Sequence, residues 1–225
     1  MGGSLLPELE KRGLRGGRVL DVGCGTGRAF EPLLSRGWEV VGCDLTPAML
    51  AEARRKFGDA VPLHVADLRE LPVLGEFDLV LALNDVINYL TGDGDLERAF
   101  AGMRSNLVAG GLALFDANSL SLFRASFASG DDEGMSVGEW RWVGQSNLVE
   151  PGGTFEARVS GGGVEAHVHR ERHWTAAQVG GALEAAHLDL IATLGQREED
   201  GGVVLAGPPD EQRDHKVIYI ARASN

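Results

Sequence analysis

The chain has 225 residues, of which 44% are hydrophobic and 24% charged, and its formal net charge is −12. This is the balance of a folded protein of ordinary domain size, and it disfavours nucleic acid as a partner, because gripping a polyanion needs clustered Lys and Arg. No apolar run approaches a membrane span, no signal-peptide pattern precedes the first strand, and two cysteines provide no disulfide framework, so we expect a single cytoplasmic domain over residues 1–225.

The first predicted strand, Arg18–Val22, runs directly into a glycine turn at residues 23–27 and then into a helix predicted over 28–35. Glycines at alternate positions let the backbone turn sharply and let a ligand lie against main-chain atoms. The next strand, predicted over 39–43, is followed by Asp44, whose carboxylate can accept hydrogen bonds from both hydroxyls of a ribose. This region is therefore predicted to bind a nucleoside.

The spacing of the glycines separates two classes of nucleoside cofactor. A dinucleotide fingerprint reads G-x-G-x-x-G, whereas this turn reads G-x-G-x-G and has Arg28 where the third glycine would fall. The spacing disfavours a pyrophosphate on the helix N-terminus. A nicotinamide dehydrogenase is the rival enzyme, and it predicts binding of a dinucleotide and a parallel final strand.

The string LDVGCGTG at residues 20–27 resembles motif I of the class I S-adenosylmethionine-dependent methyltransferases. The resemblance extends from Val19 to Arg222 and implies S-adenosylmethionine as the cofactor. It places these residues of the first two strands against the cofactor: Asp21, Gly23, Cys24, Gly25, Gly27 and Asp44.

Hydrophobic runs continue to alternate with helical periodicity along the chain. Strands are predicted at 61–65, 77–81 and 111–117, and helices at Pro47–Phe57, 94–107 and 176–187. The expected fold is α/β: a Rossmann-like, doubly wound and mainly parallel sheet. In the family that this chain resembles, the sheet has seven strands, and residues 217–221 would form its antiparallel last strand.

Two further segments resemble parts of the family's cofactor site. Residues 65–68 are similar to a segment in which an acid accepts from the adenine amino group, which implies a cofactor role for Asp67 and Leu68; capping of a turn is the alternative for Asp67. Leu45 and Met49 would pack on the adenine ring, although each alone would be read as a core residue.

The segment at residues 77–85 resembles the family's fourth strand, whose end faces the methyl acceptor, and D-x-x-N-Y follows it as in a bacterial subgroup. This implies Asn84 at the cofactor, Asp85 at the substrate, and Asn88 and Tyr89 at the transfer site. The alternative has Tyr89 packed under a helix and Asn88 capping a turn.

After the fifth strand, residues 115–119 read F-D-A-N-S, which also resembles that subgroup and implies Asn118 at the substrate. A metal held by Asp116 and Asn118 is an alternative, but an octahedral ion needs more converging carboxylates than the sequence offers. We therefore expect no metal.

Residues 135–174 alternate with period two between glycine pairs and triplets, which predicts an inserted antiparallel β subdomain covering the substrate site. Trp140 and Trp142 are candidate substrate-binding residues, with Phe155 beside them; packing of the insert onto the core is the alternative.

Three histidines, His167, His169 and His173, share one face of the last predicted strand of the insert with Glu165 and Glu171. A solvated face is the favoured interpretation, and chelation of a transition metal by His167 and His169 is an alternative. We also consider a histidine that accepts the substrate's proton, with His173 as the candidate catalytic residue beside Tyr89 and Asn88.

Most relatives in this family cover the cofactor with a helical segment that carries an aromatic residue, but residues 1–17 contain none. The cover then comes from another element, or the pocket is more open. The expected function is methyl transfer to a nitrogen or oxygen of a small molecule by a monomer or homodimer. An RNA or protein methyltransferase and a catalytically silent cofactor-binding module are the alternatives.

Overall fold

The computed structural model describes residues 2–129 and 134–224, so the parts of the predicted 1–225 domain at 1, 130–133 and 225 lie outside the described residues. The helices of the described chain are α1 Gly2–Lys11, α2 Glu31–Leu34, α3 Pro47–Phe57, α4 Asp95–Ser105, α5 Leu120–Phe127 and α6 Ala176–Ala185. The core strands are β1 Arg18–Val22, β2 Glu39–Asp44, β3 Leu63–Val65, β4 Phe77–Ala82, β5 Leu107–Asn118, β10 Leu188–Glu199, β11 Gly202–Ala206 and β12 Lys216–Ala223. The strands of the insert are β6 Met135–Val137, β7 Trp140–Gly144, β8 Thr154–Gly161 and β9 Val164–Arg172.

The core sheet has the order β11-β10-β12-β5-β4-β1-β2-β3. Strands β1 to β5 pair in parallel, and β12 lies antiparallel between β5 and β10. The antiparallel last strand is thereby confirmed, and the parallel final strand that a dehydrogenase predicts is not found. The predicted β and α elements are present, although the predicted strand at 61–65 shortens to Leu63–Val65 and the helix at 28–35 to Glu31–Leu34, which has Pro32 in its first turn.

The sheet has eight strands rather than the predicted seven. The additional strand, β11, forms an antiparallel hairpin with β10, in which Glu199 pairs with Gly202 across the two residues Asp200 and Gly201. Both of these residues have positive φ, of 51° and 76°. Asp-Gly is the sequence preferred for such a two-residue hairpin turn, so this strand was readable from the sequence and was missed.

Helices cover both faces of the sheet. The first face packs against α4 and α6, and the second against α1, α2 and α3. Successive residues of β5 and β12 enter the two cores alternately, as in Phe115 and Tyr219 on the first face and Leu114 and Ile220 on the second. Burial on both faces explains why these strands read as continuous apolar runs. In α1, Leu5, Leu6 and Leu9 join the second core, so the apolar side of the N-terminal helix serves packing.

The insert forms a separate four-stranded antiparallel sheet in the order β6-β7-β8-β9, which confirms the predicted β insertion. Together with α5 it encloses a third, smaller core that includes Phe123, Phe127 and Phe155. Phe155 therefore packs in the insert, as the alternative interpretation expected. Among the described residues, no helix has the length and apolarity needed to cross a membrane.

Candidate functional site

The carboxyl ends of the parallel strands meet at one edge of the sheet, and the glycine turn lies there between β1 and α2. Its glycines Gly23, Gly25 and Gly27 have φ of 67°, 54° and 89°. A Cβ at Gly23 would approach Val86 Cγ1 at 2.9 Å, and one at Gly27 would approach Phe30 Cζ at 2.6 Å, whereas a Cβ at Gly25 would meet nothing within 4 Å. Gly23 and Gly27 thus serve packing, and Gly25 borders open space.

Asp44 ends β2 and holds the glycine turn in place. Its carboxylate accepts hydrogen bonds from the amides of Gly25 and Thr46, both at 2.8 Å. A carboxylate offers about four acceptor positions, so these two bonds leave capacity for hydroxyl donors. The geometry is compatible with the predicted contact to a ribose.

Apolar side chains lie exposed beside Asp44. Leu45 is 57% exposed, Met49 46% and Val65 63%. The alternative that Leu45 and Met49 are core residues is therefore wrong. Large apolar side chains exposed to water next to a carboxylate with free acceptor positions are typical of a ligand-binding surface.

Asp67 accepts hydrogen bonds from the Arg69 amide at 2.9 Å and from the Arg69 guanidinium. It is the N-cap of the 3₁₀ turn Leu68–Glu70, in which Leu68 is buried. Arg69 lowers the pKa of Asp67 by side-chain hydrogen bonding. The capping contact is thus the one present, and a contact from Asp67 to adenine stays a prediction.

Asp21 and the cysteines lie beneath the turn. Asp21 is 1% exposed, and its Oδ2 has no hydrogen-bond partner. Burial, reinforced by the nearby Asp44, raises the pKa of Asp21 to about 8. Burial also raises the pKa of both Cys24 and Cys43. These thiols are small buried side chains, and the side chain of Cys24 packs into the second core rather than toward a ligand.

The turn after β4 holds two consecutive non-glycine residues in the left-handed region, Asn84 at φ 66° and Asp85 at φ 69°. Non-glycine residues in this conformation cost free energy, and such residues cluster at functional sites. Asp116 stabilises it: its two carboxylate oxygens accept the amides of Asn84 at 3.0 Å and Asp85 at 2.8 Å.

Lys216, at the start of β12, completes this arrangement and was not recognised in the sequence. Its ammonium donates to the carboxylates of Asp85 and Asp116, the latter at 3.3 Å. Asp116 is 1% exposed, and burial raises its pKa while Lys216 opposes the rise. Because Asp116 is occupied by two amides and an ammonium, the alternative of a metal at Asp116 and Asn118 is disfavoured. No group of three or more potential metal ligands occurs in the described part of the chain.

Asn88 is fully buried, and both ends of its amide are used. Its Nδ2 donates to the Arg172 carbonyl at 2.8 Å, and its Oδ1 accepts the Asn118 amide at 2.9 Å. It ties β9 of the insert to β5, so neither predicted role, at the transfer site or as a turn cap, matches its contacts.

Tyr89 is 46% exposed, which excludes packing under the next helix. Its hydroxyl lies 2.8 Å from Nδ1 of His169 on β9. The pKa of Tyr89 is raised, first by desolvation and then by Glu171 nearby. The insert therefore contacts the end of β4 at the point where the sequence predicts the transfer site.

Glu171 was included in a solvated strand face, but it is 2% exposed. It accepts a hydrogen bond from Asn118 Nδ2 at 3.0 Å, and burial, followed by the charge of Asp85, raises its pKa to about 8. Asn118 is also buried, and its Oδ1 has no donor. The solvated interpretation fails at Glu171 because this end of β9 packs against Asn118 of β5, whereas Glu165 and His167 on the same face are exposed. In the sequence, only the same-face spacing with His169 pointed to Glu171.

His173 does not match its predicted role as a catalytic residue. It is 2% exposed, its Nε2 lies 3.2 Å from Glu211 and its Nδ1 accepts the Gly152 amide at 3.2 Å. Its ring packs edge-on against Phe123 of α5. Both nitrogens are engaged away from the cleft, so His173 supports the insert and is not placed to accept a substrate proton.

The two candidate tryptophans differ. Trp142 donates from Nε1 to the Ser126 carbonyl at 2.7 Å and packs on Phe127 and His169. Trp140 is 40% exposed and lies edge-on to His167, with ring centroids 6.4 Å apart. Trp142 thus packs the insert and supports the histidine, whereas Trp140 lies at the surface beside His167. Substrate contact by either stays a prediction.

Comparison with known proteins identifies the family. Residues 19–111 match the model of a methyltransferase domain. A putative methyltransferase of Geobacillus sp. (strain WCH70) is 32% identical over 175 residues, covering 73% of this chain and 71% of the relative. The chain belongs to the class I S-adenosylmethionine-dependent methyltransferases. A putative methyltransferase of Bacillus subtilis (strain 168) is 35% identical over a stretch that covers 59% of the present chain and 56% of the Bacillus relative.

A relative of stated substrate is the dTDP-3-amino-3,4,6-trideoxy-alpha-D-glucopyranose N,N-dimethyltransferase of Streptomyces venezuelae. It is 29% identical to this methyltransferase over 84% of this chain and 74% of its own length. Among solved structures, an S-adenosylmethionine-dependent methyltransferase from Clostridium acetobutylicum aligns over the whole chain and 91% of its own, with a TM-score of 0.78 at 20% identity. That structural likeness confirms the fold.

The residues of this methyltransferase suit its cofactor, S-adenosylmethionine. Open space at Gly25, spare acceptor capacity on Asp44 and the exposed Leu45, Met49 and Val65 provide main chain, a carboxylate and apolar surface at the same edge of the sheet. These are the groups that a nucleoside thioether requires.

Proposed function

We propose that this methyltransferase transfers a methyl group to an amino group of a small molecule, with amino sugars as the first class to test. The observation that carries the proposal is the acceptor-rich end of the cleft. There, the buried Asn118 Oδ1 has no donor and lies next to the Glu171 carboxyl, to which its own Nδ2 donates. A buried acceptor without a partner costs free energy, and a ligand with N–H groups would satisfy it.

For the cofactor, we assign the ribose hydroxyls to Asp44 and the apolar contacts to Leu45 and Met49. Main chain at Gly25 and at Asn84 would line the path toward the methionine end, and Asp67 with Leu68 the adenine end. S-adenosylmethionine supplies a methyl carbon bound to a positively charged sulfur, which is open to displacement by a nucleophile. The protein's task is then to hold the nucleophile in line with that carbon, and positioning of this kind lowers a barrier by about 7–11 kcal/mol.

For the acceptor, we assign the region between Tyr89, Glu171 and Asp85, with the insert of residues 135–174 as its cover. Three acidic side chains, Asp85, Asp116 and Glu171, meet one ammonium, Lys216, in this region. An excess of acidic side chains favours a cationic amine over an anionic group at this point of the site. This charge balance supports an amine as the group placed here.

The relative from Streptomyces venezuelae, named as an N,N-dimethyltransferase of an amino sugar, supports the same class of acceptor. The net charge of −12 counts against RNA. An acceptor nitrogen attacks only when it is neutral, because an ammonium has no lone pair. The reaction therefore requires that the bound amine lose a proton before transfer.

Methyl-labelled S-adenosylmethionine tests the proposal directly. The protein is incubated with a dTDP-linked 3-amino sugar, with the matching 3-hydroxy sugar, with total RNA and with a protein extract. We expect label in the amino sugar alone. Label in RNA or protein, or in the hydroxy sugar in preference to the amino sugar, would contradict the proposal.

Calorimetric titration with S-adenosylmethionine separates an inactive module from a wrong acceptor. Binding without labelling of any pool would support the cofactor-binding module. Dinucleotide binding in place of S-adenosylmethionine binding would exclude the proposal altogether.

A further inference from the structure

A chain of hydrogen-bonding side chains leads from the acceptor region to solvent. The Tyr89 hydroxyl lies 2.8 Å from His169 Nδ1, and His169 Nε2 lies 2.9 Å from His167 Nε2. His167 is exposed, and its Nδ1 lies 3.5 Å from the Glu165 carbonyl. At the inner end, desolvation and then the charges of Glu171 and Asp85 raise the pKa of Tyr89.

One assignment of protons satisfies all these contacts. Tyr89 donates to His169 Nδ1, His169 donates from Nε2 to His167 Nε2, and His167 keeps its proton on Nδ1, toward the Glu165 carbonyl. A neutral imidazole has one donor and one acceptor nitrogen, so each ring fulfils both roles. Every donor in this chain points outward, from the cleft to the surface.

We propose that Tyr89, His169 and His167 form a relay that carries the acceptor's proton from the cleft to solvent. The inference rests on the proposed amine acceptor. Tyr89 is the group at the acceptor, and His169 and His167 are relay residues that act through Tyr89.

The proton balance of the step is complete. The acceptor R–NH₃⁺ gives one proton to the Tyr89 oxygen as Tyr89 gives its own to His169 Nδ1, and the acceptor becomes R–NH₂. The nitrogen lone pair then forms the N–CH₃ bond while the S–CH₃ bond breaks, and its electron pair stays on sulfur as a neutral thioether. Along the rest of the relay, the His169 Nε2 proton passes to His167 Nε2, and the His167 Nδ1 proton passes to water.

Charged groups flank the inner end of the relay, and His169 further out is neutral. Asp85 from the turn after β4, Asp116 from β5, Lys216 from β12 and Glu171 from β9 lie at the inner end. Near His169, the titratable neighbours are Tyr89 and His167, and the ring of Trp142 covers one side. Desolvation and the charge of His167 lower the pKa of His169, so this ring remains neutral and releases a proton readily.

Nitrogen-15 NMR of the histidines in the whole protein tests the relay without an acceptor. We expect neutral His169 to carry its proton on Nε2, and Tyr89→Phe to produce a mixture of tautomers because Nδ1 loses its donor. A proton on Nδ1 of His169 in the unmodified protein, or a His169 spectrum unchanged by Tyr89→Phe, would overturn the relay.

The pH dependence of turnover tests whether the relay carries the proton during catalysis. With a dTDP-linked 3-amino sugar, His169→Gln keeps a hydrogen-bonding group but cannot conduct a proton. We expect kcat near pH 7 to fall by about 10- to 100-fold, the lower range for loss of acid–base assistance, with KM unchanged. Near pH 9.5, where the amine loses its proton unaided, kcat should approach that of the unmodified protein, and added imidazole should restore turnover at pH 7.

The matched control is His187→Gln, which changes an exposed histidine at the end of α6. It should show the pH profile of the unmodified protein.

Equal kcat for His169→Gln and the unmodified protein at every pH would refute the relay while leaving amine methylation intact. A loss of kcat that is the same at every pH indicates a structural role and also refutes it. No methylation of the amine by the unmodified protein, with the expected tautomers present, would instead refute the proposed function.

Discussion

The Lys216 ammonium lies 3.3 Å from the Asp116 carboxylate, and the two residues are 100 positions apart in the chain. Asp116 in turn accepts the amides of Asn84 and Asp85, which lie in the left-handed region. The positive charge on the last strand thus makes it possible to bury the carboxylate that shapes the turn after β4.

Lys216→Met tests this dependence. Removing one partner of a buried ion pair leaves the other charge uncompensated and costs about 3–5 kcal/mol of the free energy of unfolding. Urea denaturation at neutral pH measures the loss.

The double variant Asp116→Asn with Lys216→Met should lose less stability than Lys216→Met alone, since no buried charge is then left unpaired. Arg55→Met, which removes an exposed pair with Glu52, should change stability little. A loss for Lys216→Met no larger than that of Arg55→Met would contradict the prediction.

Gly25→Ala and Gly27→Ala form a matched pair in one turn. Both residues have positive φ, so each alanine costs backbone strain of about 1–2 kcal/mol. At Gly25 the Cβ enters open space, so the main effect should be on cofactor binding. At Gly27 the Cβ meets Phe30, so a further loss of about 1–3 kcal/mol from overpacking is expected.

Calorimetric binding of S-adenosylmethionine and denaturation, measured on both glycine variants, separate the two effects. Gly25→Ala should weaken binding more than Gly27→Ala and destabilise the fold less. The reverse order would place the cofactor away from Gly25.

Asp44→Asn removes the charge that we assign to the ribose hydroxyls. A hydrogen bond to a charged group contributes about 1.5–3 kcal/mol, which corresponds to a fall in S-adenosylmethionine affinity of about 10- to 150-fold. Calorimetric titration measures it. Asp59→Asn, at an exposed position after α3, is the control and should bind as the unmodified protein does. Unchanged affinity for a folded Asp44→Asn protein would remove Asp44 from the cofactor site.

Glu171→Gln tests the buried carboxyl through pH. Since burial raises the folded-state pKa of Glu171 to about 8 from 4.5, the folded protein retains a proton that the unfolded chain releases above about pH 4.5. The unfolded state thus binds fewer protons, and stability is lost as pH rises from about 4.5 to 8. Glutamine does not titrate, so the stability of Glu171→Gln relative to the unmodified protein should increase by up to about 4 kcal/mol between pH 5 and 8.

Thermal or urea denaturation at several pH values measures this difference. Glu165→Gln, at an exposed position on the same face of β9, is the control and should show no such increase. A difference between Glu171→Gln and the unmodified protein that does not vary with pH would show that Glu171 titrates normally.

Much of the fold was predictable because its determinants are local in sequence. The run from Arg18 to Asp44 specifies a strand, a turn, a helix and a second strand by apolar patterning and by glycines whose φ is positive in the structure. The insert followed from period-two alternation between glycines. The hairpin strand β11 was equally local, at Asp200 and Gly201, and was overlooked.

The acceptor end of the site was less predictable. Asn88 and Tyr89 were singled out, but their roles depend on partners 80 or more positions away, Arg172 and His169. Alternation along β9 identified which residues share a face. It did not show which part of that face contacts the core.

From the sequence alone, the chain is a nucleoside-binding α/β protein with a methyltransferase motif, because strand periodicity, glycine turns and a terminal acid are properties of neighbouring residues. Only the tertiary structure decided that Glu171 is buried, that Lys216 neutralises Asp116 and that His169 rather than His173 contacts Tyr89. Burial and charge compensation depend on how distant segments pack, and that packing sets the protonation and hydrogen bonding of the acceptor site.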